Sequence, residues 1–258
     1  MTIMKKEPVI IIGLGEMGSV FARAILKLGH PVYPVNRNTD MDALAKEIPN
    51  PFMVLNSVGE NDLQASLKKI PSAWHSSVTL LQNELLPRDW ESYPFTNPTI
   101  ISVWFEKKKG QDSKVLIASP CFGAKASMIV DALATLDIPA VEVASADEME
   151  QELLIKNVYI LTTNISGLIT KGNVEDLWNN HNNLALEVAN EVMDIQAMLV
   201  GHELDREKLI AGFKLGIDGD LQHMCMGRSA PGRLARAIEQ ADAAGLEVKK
   251  LREINASL

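Results

Sequence analysis

The chain has 258 residues, 47% of them hydrophobic and 22% charged, with a formal net charge of −8 at pH 7. This length allows one large domain or two smaller ones. The negative charge argues against nucleic acid or an anionic membrane as a partner, because both would repel the chain. No apolar run approaches the roughly 20 residues of a membrane span. Two widely spaced cysteines, Cys121 and Cys225, favour a reducing cytoplasm over a disulfide framework.

The first candidate site is the glycine-rich stretch VIIIGLGEMG at residues 9–18. Its four branched aliphatic residues predict a strand that is buried on both faces of a parallel sheet. Apolar residues then recur at helical spacing until Gly29, and residues 32–35 have the character of a second strand. A strand, glycine turn, helix and strand within about 30 residues form the unit that dinucleotide binding requires.

Each glycine of this stretch has a predicted role. Gly13 allows a tight turn, Gly15 lets the backbone approach a pyrophosphate, and Gly18 lets the helix pack closely on the strand. The pyrophosphate would lie on the N–H groups at the start of the helix. The alternative is a glycine-rich turn in another kind of α/β protein, but the surrounding elements favour a dinucleotide. The predicted cofactor contacts are therefore Gly13, Leu14, Gly15, Glu16, Met17 and Gly18.

The end of the second strand predicts which dinucleotide binds. A site for NAD usually places Asp or Glu there to accept from the ribose 2′-hydroxyl. Here the chain has Asn36 and Arg37, with no carboxylate to repel a 2′-phosphate and a guanidinium that can bind one. Arg37 could instead be a solvated loop residue. We predict NADP(H) as the cofactor, with Asn36 and Arg37 among its contacts.

The following segments alternate between strand and helix patterns up to about residue 145. Strand-like segments are 52–58, 78–81, 99–105, 114–118 and 140–143, and helical patterns cover 62–70 and 124–136. We expect 99–105 and 114–118 to form a hairpin, because the charged stretch KKKGQDS between them is typical of a turn.

After residue 146 long helical patterns replace the strands. They cover residues 148–171, 182–200, 206–226 and 232–244. The sequence thus predicts an α/β fold with an N-terminal Rossmann dinucleotide-binding domain at residues 1–145. An all-helical domain at 146–258 would follow, serving the substrate and dimerisation. A cleft between two such domains is the expected place for a substrate, and a homodimer is left open.

With these features in place, the chain resembles the ketopantoate reductase (2-dehydropantoate 2-reductase) family of the 6-phosphogluconate dehydrogenase-like superfamily. The likeness covers nearly the whole length. It rests on the glycine motif, on Arg37, on Leu81-Gln82-Asn83 at a strand end, and on the tail GRLARAIEQADAAGLEVKKL. The resemblance implies NADPH as cofactor, a small carbonyl compound as substrate and Lys156 as the catalytic residue. It also implies that Asn83 orients the nicotinamide ribose or the substrate.

Four positions depart from the family pattern. Glu84 replaces the glycine that follows Gln-Asn in the family. Ile160 replaces the first of two asparagines after the catalytic lysine, whereas the second, Asn164, is retained. Ser229 aligns with the family's glutamate, and Asp218 falls near a family serine. The resemblance therefore implies a matching cofactor domain and an altered substrate site, with Asn164 and Asp218 as the substrate-binding candidates.

Each of these candidates also has a structural interpretation. Lys156 lies in the apolar stretch LLIKNVYIL, so it either extends its ammonium to solvent or serves a site. Asn83 could simply end a strand. Asn164 shares a helix face with Lys156, two turns away, and could bond one helix to another. Asp218 could be a solvated residue on a helix.

Two further groups of residues yield weaker hypotheses. His223 and Cys225 are too few ligands for a metal site, and we expect no metal. Three arginines near the last long helix could bind an anionic substrate or be exposed; they are Arg228, Arg233 and Arg236.

The leading hypothesis is an NADPH-dependent reductase of a small 2-oxo acid or related carbonyl compound. Lys156 would give a proton to the carbonyl oxygen as hydride reaches the carbon. Two alternatives remain open. One is an NADP-binding regulator or sensor that has lost turnover, which the missing glutamate and asparagine favour. The other is a β-hydroxyacid dehydrogenase-type enzyme that acts on another substrate.

Overall fold

The computed structural model describes residues 6–258. Its strands are β1 (Val9–Ile12), β2 (Val32–Val35), β3 (Met53–Asn56), β4 (Val78–Leu80), β5 (Thr99–Ile101), β6 (Phe105–Glu106), β7 (Lys114–Val115), β8 (Ser119–Phe122) and β9 (Ala140–Glu142). Its helices are α1 (Glu16–Lys27), α2 (Met41–Glu47), α3 (Leu63–Leu67), α4 (Ala126–Ala134), α5 (Ala146–Thr170), α6 (Val174–Asn180), α7 (Asn182–Val200), α8 (Arg206–Gly219), α9 (Ala230–Ala244) and α10 (Lys249–Ala256). The predicted order of an α/β half followed by a helical half is confirmed.

The strands form a seven-stranded sheet in the order β2-β1-β3-β4-β5-β8-β9. The first five strands in this order are parallel, and β8 joins β5 in the antiparallel direction. The chain runs from β1 outward to β2 and returns to β3 on the other side of β1. Ligands of open α/β sheets bind at such a reversal, outside the carboxyl ends of the strands.

The packing of α1 and α4 on the sheet explains the apolar pattern of both helices. Phe21 and Ile25 of α1 and Ile129 and Leu133 of α4 are buried in one cluster with the strands. β1 is almost fully buried along its length, as its branched residues predict. Burial of this kind stabilises by about 25 cal/mol per Å² of apolar surface, so the cluster fixes the strand end that carries the glycine turn.

Several predicted elements differ in detail from the observed ones. The hairpin prediction is correct for β6 and β7, which pair with each other, but β5 joins the main sheet instead. Its partner β8 was missed, because Pro120 within the run SPCF is atypical of a strand. The short helices α2, α6 and α10 were also not predicted. α8 ends at Gly219, short of residue 226.

The segment after α8 leaves the helix because it pairs with another part of the chain. The backbone N–H of Val174 donates to His223, and that of Cys225 donates to Gly172. A Cβ on Gly167 would lie 2.7 Å from that of Cys225, so α5 and this segment are in close contact. These long-range bonds replace the helical hydrogen bonds that the local pattern predicts.

The chain divides into two compact units, one ending at Glu152 and one comprising Leu153–Leu258. This division falls within α5, whereas the change from strands to helices falls at its first residue. The border at 145/146 therefore stays a prediction.

The helix α5 is long and apolar enough to cross a membrane by length and composition alone. The sequence analysis expects no apolar segment of that length, so this helix qualifies that expectation. However, 78% of its most apolar window is buried inside the protein. Within the second unit Asn157 of α5 donates to Gln196 of α7, and Tyr159 packs edge-on against Phe213 of α8. α5 is thus a core helix of that unit.

Candidate active site

The turn between β1 and α1 has the geometry that its glycines predict. Gly13 has φ +88°, which lies in the left-handed region that side chains disfavour. A Cβ on Gly18 would lie 2.3 Å from the carbonyl oxygen of Gly13, so a side chain there would collide with backbone. Helix α1 therefore approaches the turn as closely as glycine allows.

Ser57 holds this turn from the end of β3, which the sequence interpretation missed. Its hydroxyl donates to the carbonyl oxygen of Gly13 at 2.6 Å and lies 3.1 Å from that of Ile12. The same hydroxyl oxygen would be 2.7 Å from a Cβ on Gly18, so it occupies the space that this glycine leaves free. The sequence signal for this role of Ser57 is its position directly after a buried strand.

The amino end of α1 is open to a ligand. Gly15 is its N-cap, and among residues 6–258 no side chain caps the helix there. A Cβ on Gly15 would meet no atom of the described residues within 4 Å. Uncapped N–H groups at a helix start bind anions, and the helix dipole favours negative charge there. The turn thus fits the pyrophosphate of a dinucleotide.

A pocket of about 650 Å³ lies beside the turn, at the point where the strand order reverses. Its lining comes from the ends of β1, β2 and β3 and from the segment around α3. The lining residues are Ile12, Gly13, Leu14, Gly15, Val35, Asn36, Arg37, Thr39, Met41, Ser57, Val58, Gly59, Asp62, Ala65, Ser66 and Lys69. It unites five of the predicted cofactor contacts, which are Gly13, Leu14, Gly15, Asn36 and Arg37. Glu16, Met17 and Gly18 do not line it, and the cofactor contacts stay a prediction.

Three charged side chains line this pocket. Arg37 is almost fully exposed, and its guanidinium lies 3.9 Å from the carboxylate of Asp62. An exposed pair of this kind contributes little energy, so Arg37 is available to an incoming phosphate. Lys69 lines the same pocket and adds a second cation. The carboxylate of Asp62 was not anticipated from the sequence.

Gln82 and Asn83 have different environments after β4. The Gln82 amide is buried and donates to the carbonyl oxygens of Asn56 and Val58, at 2.7 and 3.1 Å. Gln82 thus fixes the end of β3 beside the pocket. Asn83 is half-buried and does not line the pocket, so its contact with the cofactor stays a prediction. Glu84 has φ +63°, which lies in the left-handed region that glycine adopts most readily.

Lys156 is buried within the helical unit, with 8% of the residue exposed. Burial lowers the pKa of its ammonium from 10.5 to about 7, and the nearby charge of Arg233 acts in the same direction. The Nζ atom lies 5.7 Å from the centre of the Tyr159 ring. A lysine with such a pKa can exchange a proton near neutral pH.

Asn164 is also buried, and both ends of its amide are bound within the protein. Its Oδ1 accepts from Arg233 at 2.8 Å, and its Nδ2 donates to the carbonyl oxygen of Cys225 at 3.2 Å. The structure therefore joins Lys156, Asn164 and Arg233 in one polar cluster. Arg233 lies on the buried face of α9, and its helical spacing from the apolar residues of that face indicates burial in the sequence. The buried residues of α9 are Ala230, Arg233, Leu234, Ala237 and Ala241.

Among the remaining candidates of the helical unit, Asp218 and Ser229 are exposed, His223 is half-buried and Cys225 is buried. Asp218 is exposed and pairs with Lys214, one turn earlier on α8, so its role in substrate binding stays a prediction. Ser229 is exposed at the amino end of α9. His223 lies 3.8 Å from the carboxylate of Asp220, and Cys225 is buried under Gly167.

The strand order, the glycine turn and the pocket define an α/β fold of the dinucleotide-binding type, followed by a helical unit. No family model and no curated protein matches the chain by sequence. Solved structures do share its fold. The PanE/ApbA family ketopantoate reductase of Ralstonia eutropha JMP134 is similar, with a TM-score of 0.67, 16% identity and 96% of each chain covered. The fold predicted from the family resemblance, that of the ketopantoate reductases, is thereby confirmed.

Two further structures show the same likeness. A dimeric ketopantoate reductase from Staphylococcus aureus has a TM-score of 0.65, with 16% identity and 96% of each chain covered. A D-mandelate dehydrogenase in complex with NADH has a TM-score of 0.66, with 16% identity and 96% of each chain covered. At these identities the likeness describes the fold.

Proposed function

We propose that the protein is an NADPH-dependent reductase of a small 2-oxo acid or a related carbonyl compound. The observation that carries this proposal is a buried lysine, Lys156, whose pKa of about 7 suits proton transfer at neutral pH. It occurs in a chain whose first unit has an open glycine turn and an adjoining pocket. Solved structures with the same fold include ketopantoate reductases and a D-mandelate dehydrogenase, which supports a 2-hydroxy acid as the reduced product.

The proposed reaction divides the work between the cofactor and the side chains of this chain. When bound, NADPH supplies the hydride that reduces the carbonyl carbon. Lys156 donates a hydrogen bond to the carbonyl oxygen and then its proton, so the developing alkoxide becomes a hydroxyl. The neutral lysine then regains a proton from solvent. The amino end of α1 holds the pyrophosphate, and Gln82 and Ser57 keep the surrounding strand ends in place.

NADPH is proposed over NADH because of the charges in the pocket. Arg37 and Lys69 provide two cations, and no carboxylate stands at the tip of β2 in Asn36-Arg37-Asn38. A guanidinium and an ammonium together favour a 2′-phosphate over a ribose hydroxyl. The carboxylate of Asp62 opposes this preference, since it lies near Arg37.

A second candidate function is an NADP-binding regulator without turnover. One observation favours it, because both ends of the Asn164 amide are bound to Arg233 and Cys225. Asn164 must then change partners before it can contact a substrate.

A panel of 2-oxo acids, their esters and amides, and simple aldehydes tests the two candidates. The readout is the loss of NADPH absorbance, and calorimetry of NADPH binding is measured in parallel. Reduction of any member supports the reductase. Binding of NADPH with no reduction across the panel supports the regulator, and absence of NADPH binding contradicts both.

A further inference from the structure

The hairpin of β6 and β7 lies against α1. The two strands pair with each other and stand apart from the seven-stranded sheet. Phe105 of β6 is buried, and its ring centre lies 6.1 Å from that of Phe21 in α1. This contact fixes the hairpin on the helix whose amino end is the proposed pyrophosphate site.

Lys107, directly after β6, extends to that amino end. Its Nζ lies 3.8 Å from Oε2 of Glu16, the first residue of α1. The same ammonium donates to the carbonyl oxygens of Lys108 and Gln111 in its own loop. Only 21% of its side chain is exposed. The cation is therefore held in place before any ligand arrives, which reduces the entropy lost on binding.

The charge of Glu16 explains why a cation is needed there. A carboxylate at the first position of a helix interacts favourably with the helix dipole. It also repels a pyrophosphate that binds to the same end, since both groups are anionic. A lysine beside Glu16 offsets this repulsion, and its third N–H, which faces Glu16, can turn to a phosphate oxygen. The neighbouring Lys108 pairs with Glu106 instead.

We propose that Lys107 is a further cofactor-binding residue that contacts the pyrophosphate of the dinucleotide. This inference rests on the proposed function, because it requires that NADP(H) binds at the glycine turn. Lys107 does not line the pocket that contains Arg37 and Lys69. Its place beside Glu16, at the amino end of α1, assigns it to the pyrophosphate, while Arg37 and Lys69 serve the adenosine 2′-phosphate.

Three ligands separate these contributions. NADPH contains the 2′-phosphate and the pyrophosphate, 2′-phospho-ADP-ribose keeps both without the nicotinamide, and adenosine 2′-monophosphate lacks the pyrophosphate. Affinities are measured by calorimetry for the full chain and for Lys107→Gln, Lys108→Gln and Arg37→Gln. Lys108→Gln is the matched control, because it removes the adjacent charge of the same hairpin.

The expected result is a different pattern for each variant. Lys107→Gln weakens NADPH and 2′-phospho-ADP-ribose about tenfold, as expected for the loss of a hydrogen bond to a charged group. It changes the affinity for adenosine 2′-monophosphate by less than about twofold. The loss of affinity for the other two ligands diminishes at high salt. Arg37→Gln weakens all three ligands, and Lys108→Gln weakens none.

Two results overturn the inference alone. One is NADPH binding that is unaffected by Lys107→Gln, and the other is an equal loss for adenosine 2′-monophosphate. If the unmutated chain does not bind NADPH, the proposed function fails together with the inference. Circular dichroism of each variant excludes loss of the fold as the cause.

Discussion

Arg233 donates a 2.8 Å hydrogen bond from Nη1 to Oδ1 of Asn164, and both residues are buried in the helical unit. The bond connects α9 with α5, the helix that carries Lys156. It also keeps a permanent positive charge close enough to Lys156 to lower the pKa of that lysine.

The first prediction follows from this charge. Arg233→Gln removes the cation, so the pKa of Lys156 rises. If protonated Lys156 is the proton donor, the pH above which kcat falls moves upward. This upward shift is smaller than the total lowering of the Lys156 pKa, because burial causes most of that lowering and remains in the variant. A kcat profile between pH 6 and 10 measures it, and an unchanged profile contradicts the electrostatic role of Arg233.

The second prediction concerns Lys156 itself. Lys156→Ala should lower kcat by about 10²–10⁴-fold, since it removes the general acid. NADPH affinity should change little, because the proposed cofactor contacts lie in the other unit. Lys156→Arg should not restore activity, since a guanidinium stays protonated and has another shape. Lys214→Ala, which removes a lysine of α8, is the control. Turnover within a few-fold of the unmutated protein would exclude Lys156 from catalysis.

The third prediction concerns stability and pH. The pKa of Lys156 is about 7 in the folded protein and near 10.5 in an unfolded chain. Between these values the unfolded state binds a proton that the folded state lacks, so stability rises with pH. Lys156→Met should therefore stabilise the protein most below pH 7, and this gain should disappear towards pH 10.5. Urea unfolding at pH 6 and pH 10 measures both, with Lys214→Met as control.

The fourth prediction concerns the choice of cofactor. The unmutated protein should bind NADPH more tightly than NADH, because the cations of Arg37 and Lys69 line the pocket and favour a 2′-phosphate. Arg37→Asp should erode this preference, since it replaces a cation by a second carboxylate beside Asp62. Calorimetric titration with both cofactors measures the ratio. Equal affinities in the unmutated protein would contradict the NADP assignment.

The fifth prediction concerns the backbone at Glu84, whose φ of +63° is unfavourable for a residue with a side chain. Glu84→Gly relieves this strain, whereas Glu84→Ala removes the same carboxylate and retains the strain. The glycine variant should be more stable than the alanine variant by about 1 kcal/mol. Chemical denaturation compares the two variants. An alanine variant of equal or greater stability would show that the turn tolerates a side chain without cost.

The local features of this chain could be predicted from its sequence. The glycine turn, β1 and α1 were correctly predicted because a buried strand, a positive-φ glycine and an apolar helical stripe each leave a periodic or compositional signal. The placement of Arg37 at the tip of β2 follows from the same order of elements. These signals are short-range, so one sequence is enough to recognise them.

Only the tertiary structure decided which distant side chains meet. Ser57 reaches the glycine turn from the end of another strand. Arg233 reaches Asn164 from a helix that lies 69 positions later in the chain. Strand β8 forms although Pro120 is unfavourable in it, because its neighbours β5 and β9 pair with it on either side. Likewise, the pKa of Lys156 depends on burial by segments far apart in sequence. Desolvation and charge act through space, so no local pattern records them.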